Sequence, residues 1–149
     1  MFKYLIRFIY TTFGCVHVDS IFFRPQYIVR TNNKFMKYSE KFEKMRIAGN
    51  LAAKTLDMLT DNIKEGVSTD FIDKLSYEFI RDNGGYSAPL YYRGFTKSLC
   101  TSLNHVVCHG IPSDRILRDG DAINVDVTAI VNEHYGDTSR MFSIGNTAI

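Results

Sequence analysis

The chain has no long apolar run, no paired cysteines and little net charge, and each absence excludes something. Its longest opening apolar stretch, Phe8 to Val16, is broken by Thr11 and Thr12 and is far too short to span a bilayer. The three cysteines, Cys15, Cys100 and Cys108, form no CxxC pair and leave an odd count. A disulfide framework is therefore not expected, and a reducing, cytoplasmic setting fits better. A net charge of +2 with no Lys/Arg run gives no electrostatic footprint for nucleic acid.

What is present suits one folded domain. The 149 residues are 45% hydrophobic and 23% charged, ordinary values for a globular protein and unlike a disordered chain. The charge is uneven. Residues 1–37 carry Lys3, Arg7, Arg24, Arg30, Lys34 and Lys37 against Asp19 alone, a local +5 that leaves −3 for the remainder. That segment reads as an N-terminal extension, either targeting-like or preceding a true start at Met36, with no small-x-small cleavage signal after its apolar run. Residues 38–149 read as the domain.

Ser39 is placed to cap a first helix, with Glu40 in its first turn. Phe42, Met45, Ala48, Ala52, Leu56 and Leu59 then recur at steps of three or four, the period of one buried helical face. Lys64-Glu65-Gly66 is expected to end it. A second helix is expected from Ser68, burying Ile72, Leu75 and Phe79, and ending at Asp82-Asn83-Gly84-Gly85. Beyond Ser87 the texture becomes strand-like. From Asp121 to Val131 the apolar positions Ile123, Val125 and Val127 alternate with a polar row of Asn124, Asp126 and Thr128. A second strand, Tyr135 to Ile144, places Asp137, Ser139 and Met141 on one face.

If these strands form a hairpin turning about Val131-Asn132, Thr128 pairs with Tyr135, Asp126 with Asp137 and Asn124 with Ser139. Directly opposed like charges are unfavourable. Either one carboxyl is protonated, or a cation sits between the two. Oxygen-only ligands on strands suit a divalent metal, and two metals about 3.5–4 Å apart could share a bridging carboxylate. The plainer alternative is one solvent-facing Asp and one turn cap, because a one-residue slip sends a carboxylate to the other face. His109, at a turn before Gly110 and Pro112, is either polar surface or a proton-handling group adjustable near neutral pH. His105 lies four residues earlier, but a two-His site would need both on one helix, and Val106-Val107-Cys108 is strand-like. Cys100 and Cys108 read most simply as small buried residues.

Five segments, Glu43 to Gly49, Lys97 to Asn104, Val106 to Pro112, Asn124 to Thr128 and Tyr135 to Ser139, resemble the type I methionine aminopeptidases in order and spacing. The resemblance runs from about Ser39 to Ile149. It implies an α/β (α+β) fold, the first half of a "pita-bread" architecture, with two helices on a mostly antiparallel sheet. It also implies a centre of two divalent metal ions (Co, Mn, Fe, Zn or Ni) and removal of the initiator methionine from nascent polypeptides near ribosomes. On these positions Asp126 would be a bidentate ligand of one metal and Asp137 would bridge both. His109 would contact substrate near the scissile amide, and Tyr92, Phe95 and Cys100 would line the methionine pocket. Asn104 and Val106 match a loop that can bind a monovalent cation. The pattern departs at Arg93, where a histidine is common, and the family's later His and two Glu ligands have no counterpart before Ile149. A catalytically inactive fragment or non-catalytic interaction module is the alternative, and the exposed face of half a fold would favour self-association.

Overall fold

The computed structural model describes Arg30–Thr31, Lys34–Phe35 and residues 38–147. The targeting-like reading of the N-terminal extension and the proposed start at Met36 fall outside the described residues. β1 (Arg30–Thr31) and β2 (Lys34–Phe35) form one short antiparallel pair.

α1 spans Tyr38–Thr60. It begins one residue before Ser39, which therefore lies inside the first turn, an ordinary displacement for a helix boundary. Its buried face is Ala48, Leu51, Ala52, Thr55, Leu56 and Leu59. Leu51 and Thr55 complete a stripe that the apolar spacing alone had only partly outlined. The helix stops at Thr60, before the Lys64-Glu65-Gly66 signal, and Asn62 and Ile63 bond back to the Leu59 carbonyl. α2 spans Thr69–Asp82, with Ser68 as N-cap accepting from the Phe71 N–H. Ile72 and Ile80 are fully buried, while Leu75 and Phe79 are partly buried against the same core.

The sheet contains β3 (Tyr86–Ser87), β4 (Cys100–Leu103), β5 (Ala122–Val131) and β6 (His134–Ser143), all antiparallel. β5 is central: β3 and β4 share one of its edges, and β6 takes the other. Ile123, Val125, Val127 and Ala129 are fully buried and join Leu56, Leu59, Ile72 and Leu117 in the core. The helices thus cover one face of the sheet and leave the opposite face outside the core.

α1 approaches β6 at a glycine. A Cβ on Gly136 would lie 2.1 Å from the Gly49 amide nitrogen and 2.2 Å from the Ala48 carbonyl carbon. Only a residue without a side chain lets the helix backbone rest there. Farther along, the Arg140 guanidinium bonds Thr60 Oγ1 and Asp57 at 2.8 Å each, fastening the end of the helix to the same strand. We expect Gly136→Ala to lower unfolding free energy by about 1–3 kcal/mol or more through backbone overlap. Gly49→Ala, whose Cβ meets nothing within 4 Å, is expected to raise it by up to about 1 kcal/mol through helix propensity. Urea denaturation of the two variants checks the contrast.

Candidate metal centre

The β5–β6 ladder differs from the expected hairpin in register. Val131 pairs with His134, and the two-residue loop is Asn132-Glu133, with φ of 48° and 64°. Two positive φ values in succession describe a type I′ turn, whose twist matches the flanking strands. Thr128 therefore faces Asp137, and Asp126 faces Ser139. Asp126 and Asp137 are diagonal neighbours, not direct partners. The turn lies one residue later than expected, which shifts the pairing by two and preserves each side chain's face.

Three strands build the sheet face turned away from the core. One row is Cys100–Asp126–Ser139, the next contains Thr128–Asp137, and a flanking row is Ser102–Asn124–Met141. Asp137 is 8% exposed and accepts the Thr128 hydroxyl at 2.7 Å. Burial, with the Asp126 charge adding to it, pushes the Asp137 carboxyl up to about 7 despite the Thr128 hydrogen bond. Burial also raises Asp126, opposed by the nearby His109. Each carboxyl acts on the other, and without a cation the pair retains a proton near neutral pH.

His109 reaches this face through a tight contact. Thr101 N–H donates to the Gly110 carbonyl, and Gly110 N–H donates to Ser102 Oγ. A Cβ at Gly110 would stand 2.0 Å from the Thr101 oxygen, so the glycine lets the His109 loop lie against β4. His109 itself has φ of 56°, a left-handed conformation unusual for a non-glycine residue. Cys100 is buried directly across from Asp126. Burial, then the Asp126 charge, pushes its thiol up to about 12, so it is a neutral wall and not a thiolate. Cys108 is exposed, contrary to the expectation that both cysteines are buried.

Tyr92 and Phe95 lie on the β3–β4 connection. That loop leaves β5 where Ala88 N–H bonds the Thr128 carbonyl and returns where Cys100 pairs with Asp126. Its ends are therefore beside the carboxylates. Tyr92 is 61% exposed, and its ring carries the Arg93 guanidinium at 5.4 Å. Phe95 is half-buried. Tyr91 and Arg93 both have positive φ, so backbone strain concentrates in this loop. Asn104 has a structural use: its amide spans Asp121 Oδ1 and the Ala122 N–H, each at 2.9 Å.

Sequence reasoning missed the groups that hold the frame. Asp73 Oδ1 accepts from Ser98 N–H, Ser98 Oγ and Leu99 N–H, anchoring the approach to Cys100 on α2. The neighbouring Lys97–Asp70 pair, at 2.6 Å, adds a second tie. Thr128 was visible in the polar row, but its bond to Asp137 required the true register. A cavity of about 290 Å³ lies across β4 from the carboxylates, lined by Thr101, Leu103, His105 and Arg115 among others. It is separate from the acid pair.

The sequence matches the metallopeptidase family M24 pattern over residues 43–149. The chain belongs to metallopeptidase family M24. Among similar members, the methionine aminopeptidase of Rickettsia prowazekii is 54% identical over 113 residues, covering 75% of this chain and 44% of that protein. Methionine aminopeptidase 2 of Mycobacterium tuberculosis is 42% identical over 130 residues, covering 84% and 46%. The crystal structure of the Rickettsia protein superimposes with a TM-score of 0.73 at 53% identity, over 74% of this chain and 44% of that one. The chain spans less than half the length of these relatives. Its two helices on a mostly antiparallel sheet are thus the M24 fold over the matched part.

An M24 metal fits the donors on this face in kind. Asp126 and Asp137 are adjacent, largely desolvated oxygen ligands whose repulsion a divalent cation would offset. Among the described residues no third His, Cys, Asp or Glu joins them in a ligand cluster. No helix among the described residues is long and apolar enough to cross a membrane.

The raised Asp137 value gives a pH prediction. The unfolded carboxyl titrates near about 4, so between there and about 7 the folded chain binds more protons than the unfolded one. Its contribution to stability is full below about pH 4 and is lost as pH rises through about 7. With chelator present, the urea midpoint should fall from pH 5 to pH 8 more steeply in the unmodified chain than in Asp137→Asn. Equal slopes would remove Asp137 as the cause.

Proposed function

We propose that this chain supplies the strand-borne half of a dinuclear methionine aminopeptidase site, serving hydrolytic removal of the initiator methionine from nascent proteins in the cytoplasm, near ribosomes. The observation that carries the reading is the diagonal placement of Asp126 and Asp137 on one sheet face, with His109 beside them. The relatives' names supply the reaction.

Asp126 and Asp137 would hold the divalent cations, two by the family resemblance and drawn from Co, Mn, Fe, Zn or Ni. Bound there, the cations supply Lewis acidity toward the scissile carbonyl and lower the pKa of water. Asp137 exchanges its retained proton for the cation, so metal affinity rises with pH through about 7. Thr128 fixes the orientation of the Asp137 carboxyl. His109 donates a hydrogen bond near the scissile amide, where charge develops during attack. Cys100, neutral and buried, forms a sulfur-compatible wall for the methionine thioether, with Tyr92 and Phe95 on the adjoining loop.

The donor count favours a second reading for the chain by itself. Two carboxylates are a partial ligand set, and among the described residues no group of three or more His, Cys, Asp or Glu side chains could hold a metal ion. We therefore expect the purified 149-residue chain to release no methionine from Met-Ala-Ser in Mn²⁺ or Co²⁺, acting alone as a non-catalytic module. Measurable metal-dependent release would overturn that.

The site roles are tested separately in a chimera, with residues 43–149 replacing the matching segment of the Rickettsia relative. Met-Ala-Ser cleavage should be retained. Asp126→Asn or Asp137→Asn should reduce it by more than about 100-fold, beyond the usual cost of losing a ligand's hydrogen-bond partner. His109→Ala should reduce kcat by about 10²-fold or more. Full activity in the Asp variants would sink the assignment.

A further inference from the structure

The connection between β3 and β4, residues 88–99, contains no Asp or Glu and two cations, Arg93 and Lys97. Lys97 is committed, its ammonium lying 2.6 Å from Asp70 Oδ1. Arg93 is exposed, and its guanidinium stands over the Tyr92 ring at 5.4 Å. Among the described residues no carboxylate forms an ion pair with it.

The loop's own backbone bonds set this shape. Tyr91 N–H donates to the Phe95 carbonyl at 2.7 Å, Tyr92 N–H to Pro89 at 2.9 Å and Phe95 N–H to Tyr92 at 3.0 Å. They close a turn in which Tyr91, Arg93 and Gly94 all have positive φ. Two non-glycine residues held there cost backbone energy, and such strain clusters where a loop contacts a ligand. Stacking on Tyr92 restricts the guanidinium, which lowers the ordering cost of a further contact.

The loop's ends decide what that cation can meet. One end bonds the carbonyl of Thr128, whose hydroxyl donates to Asp137. The other leads into Cys100, directly across from Asp126. A peptide whose first amide lies at the acid pair runs outward at about 3.3–3.6 Å per residue. A long side chain on this loop therefore flanks the residues beyond the scissile bond.

We infer that Arg93 selects peptides with an acidic side chain at the third or fourth residue, binding its carboxylate by charge-assisted hydrogen bonds. The inference rests on the metal-site reading proposed above. A guanidinium matches a carboxylate in charge and in planar geometry. It also counters the repulsion that an acidic peptide meets from Asp126 and Asp137.

The test compares Met-Ala-Glu-Glu, Met-Ala-Gln-Gln and Met-Ala-Lys-Lys, each amidated at its C-terminus, in the chimera carrying residues 43–149. The Glu peptide should exceed the Gln peptide at least about threefold in kcat/KM, with the Lys peptide below both. The difference should reside in KM, as expected for a contact made before and during reaction alike. It should shrink in about 1 M salt. Arg93→Gln should abolish the preference, Arg93→Lys should keep its direction, and Arg93→Glu should reverse it in favour of Lys, which a merely structural role would not do. Equal constants for the three peptides, or a Glu preference that survives Arg93→Gln, would overturn the inference and leave the metal-site reading intact. A chimera that cleaves none of them would count against the metal-site reading instead. The loop is then judged by grafting residues 91–95 into the methionine aminopeptidase of Escherichia coli, 47% identical over 116 residues. The graft should raise that enzyme's Glu-to-Gln ratio at least about threefold; an unchanged ratio overturns the inference.

Discussion

Two like charges stay side by side here because β5 and β6 are paired without interruption over ten positions. No bulge occurs in that ladder, so every second residue of each strand faces the same way from end to end. The buried half of the alternation, Ile123, Val125, Val127 and Ala129, forms the sheet's contribution to the core. A slip that separated Asp126 from Asp137 by face would turn those four side chains outward. At about 1.5–3 kcal/mol for each large apolar side chain, core burial outweighs the repulsion of one acid pair. The carboxylates are thus placed by the residues behind them.

Helix α1 locks that placement from the back. Gly136 lies next to Asp137, and its lack of a Cβ lets the α1 backbone approach at Ala48 and Gly49. Arg140 ties the far end of the helix through Thr60 and Asp57. Between these points β6 is held along the stretch that carries Asp137 and Ser139. On the other edge, Asp73 and Asp70 fasten the segment leading into Cys100, while Gly110 brings the His109 loop against β4. The backbone beside Asp137, Cys100 and His109 is thus held by a nearby glycine contact or a part-buried hydrogen bond.

Much of this was legible in the residues, for identifiable reasons. Ser68 has both the side chain and the position for a cap, and it caps α2. The alternation from Ile123 to Val127 has one solution once one face is buried, and the strand follows it. Register was harder to read because Asn132-Glu133 lacks the glycine that usually marks a type I′ turn. Glu133 adopts φ of 64° under the constraint of the paired strands, a tertiary effect with no local signature. Displacing the turn by one residue changes the pairing by two, so the shared face survived although the direct opposition did not. The Asp73 cluster was hidden for another reason. It joins residues 25 positions apart, and nothing in either segment announces the other.

Burial raises both carboxylates, and their neighbours distinguish them. Asp137 sits deeper, accepts from Thr128 and is driven to about 7, whereas His109 opposes the rise at Asp126. Without a cation, the pair reduces its repulsion by keeping a proton on the deeper acid. In the site proposed above, a divalent ion would replace that proton and offset both charges. The proton and the cation would therefore compete for one position. The surrounding residues preserve that position in either state: Thr128 orients the acid, the Cys100 thiol stays neutral, and the ten-pair ladder resists separation. A face built this way carries both carboxylates on paired backbone, which is the physical requirement for holding a metal at a rigid sheet.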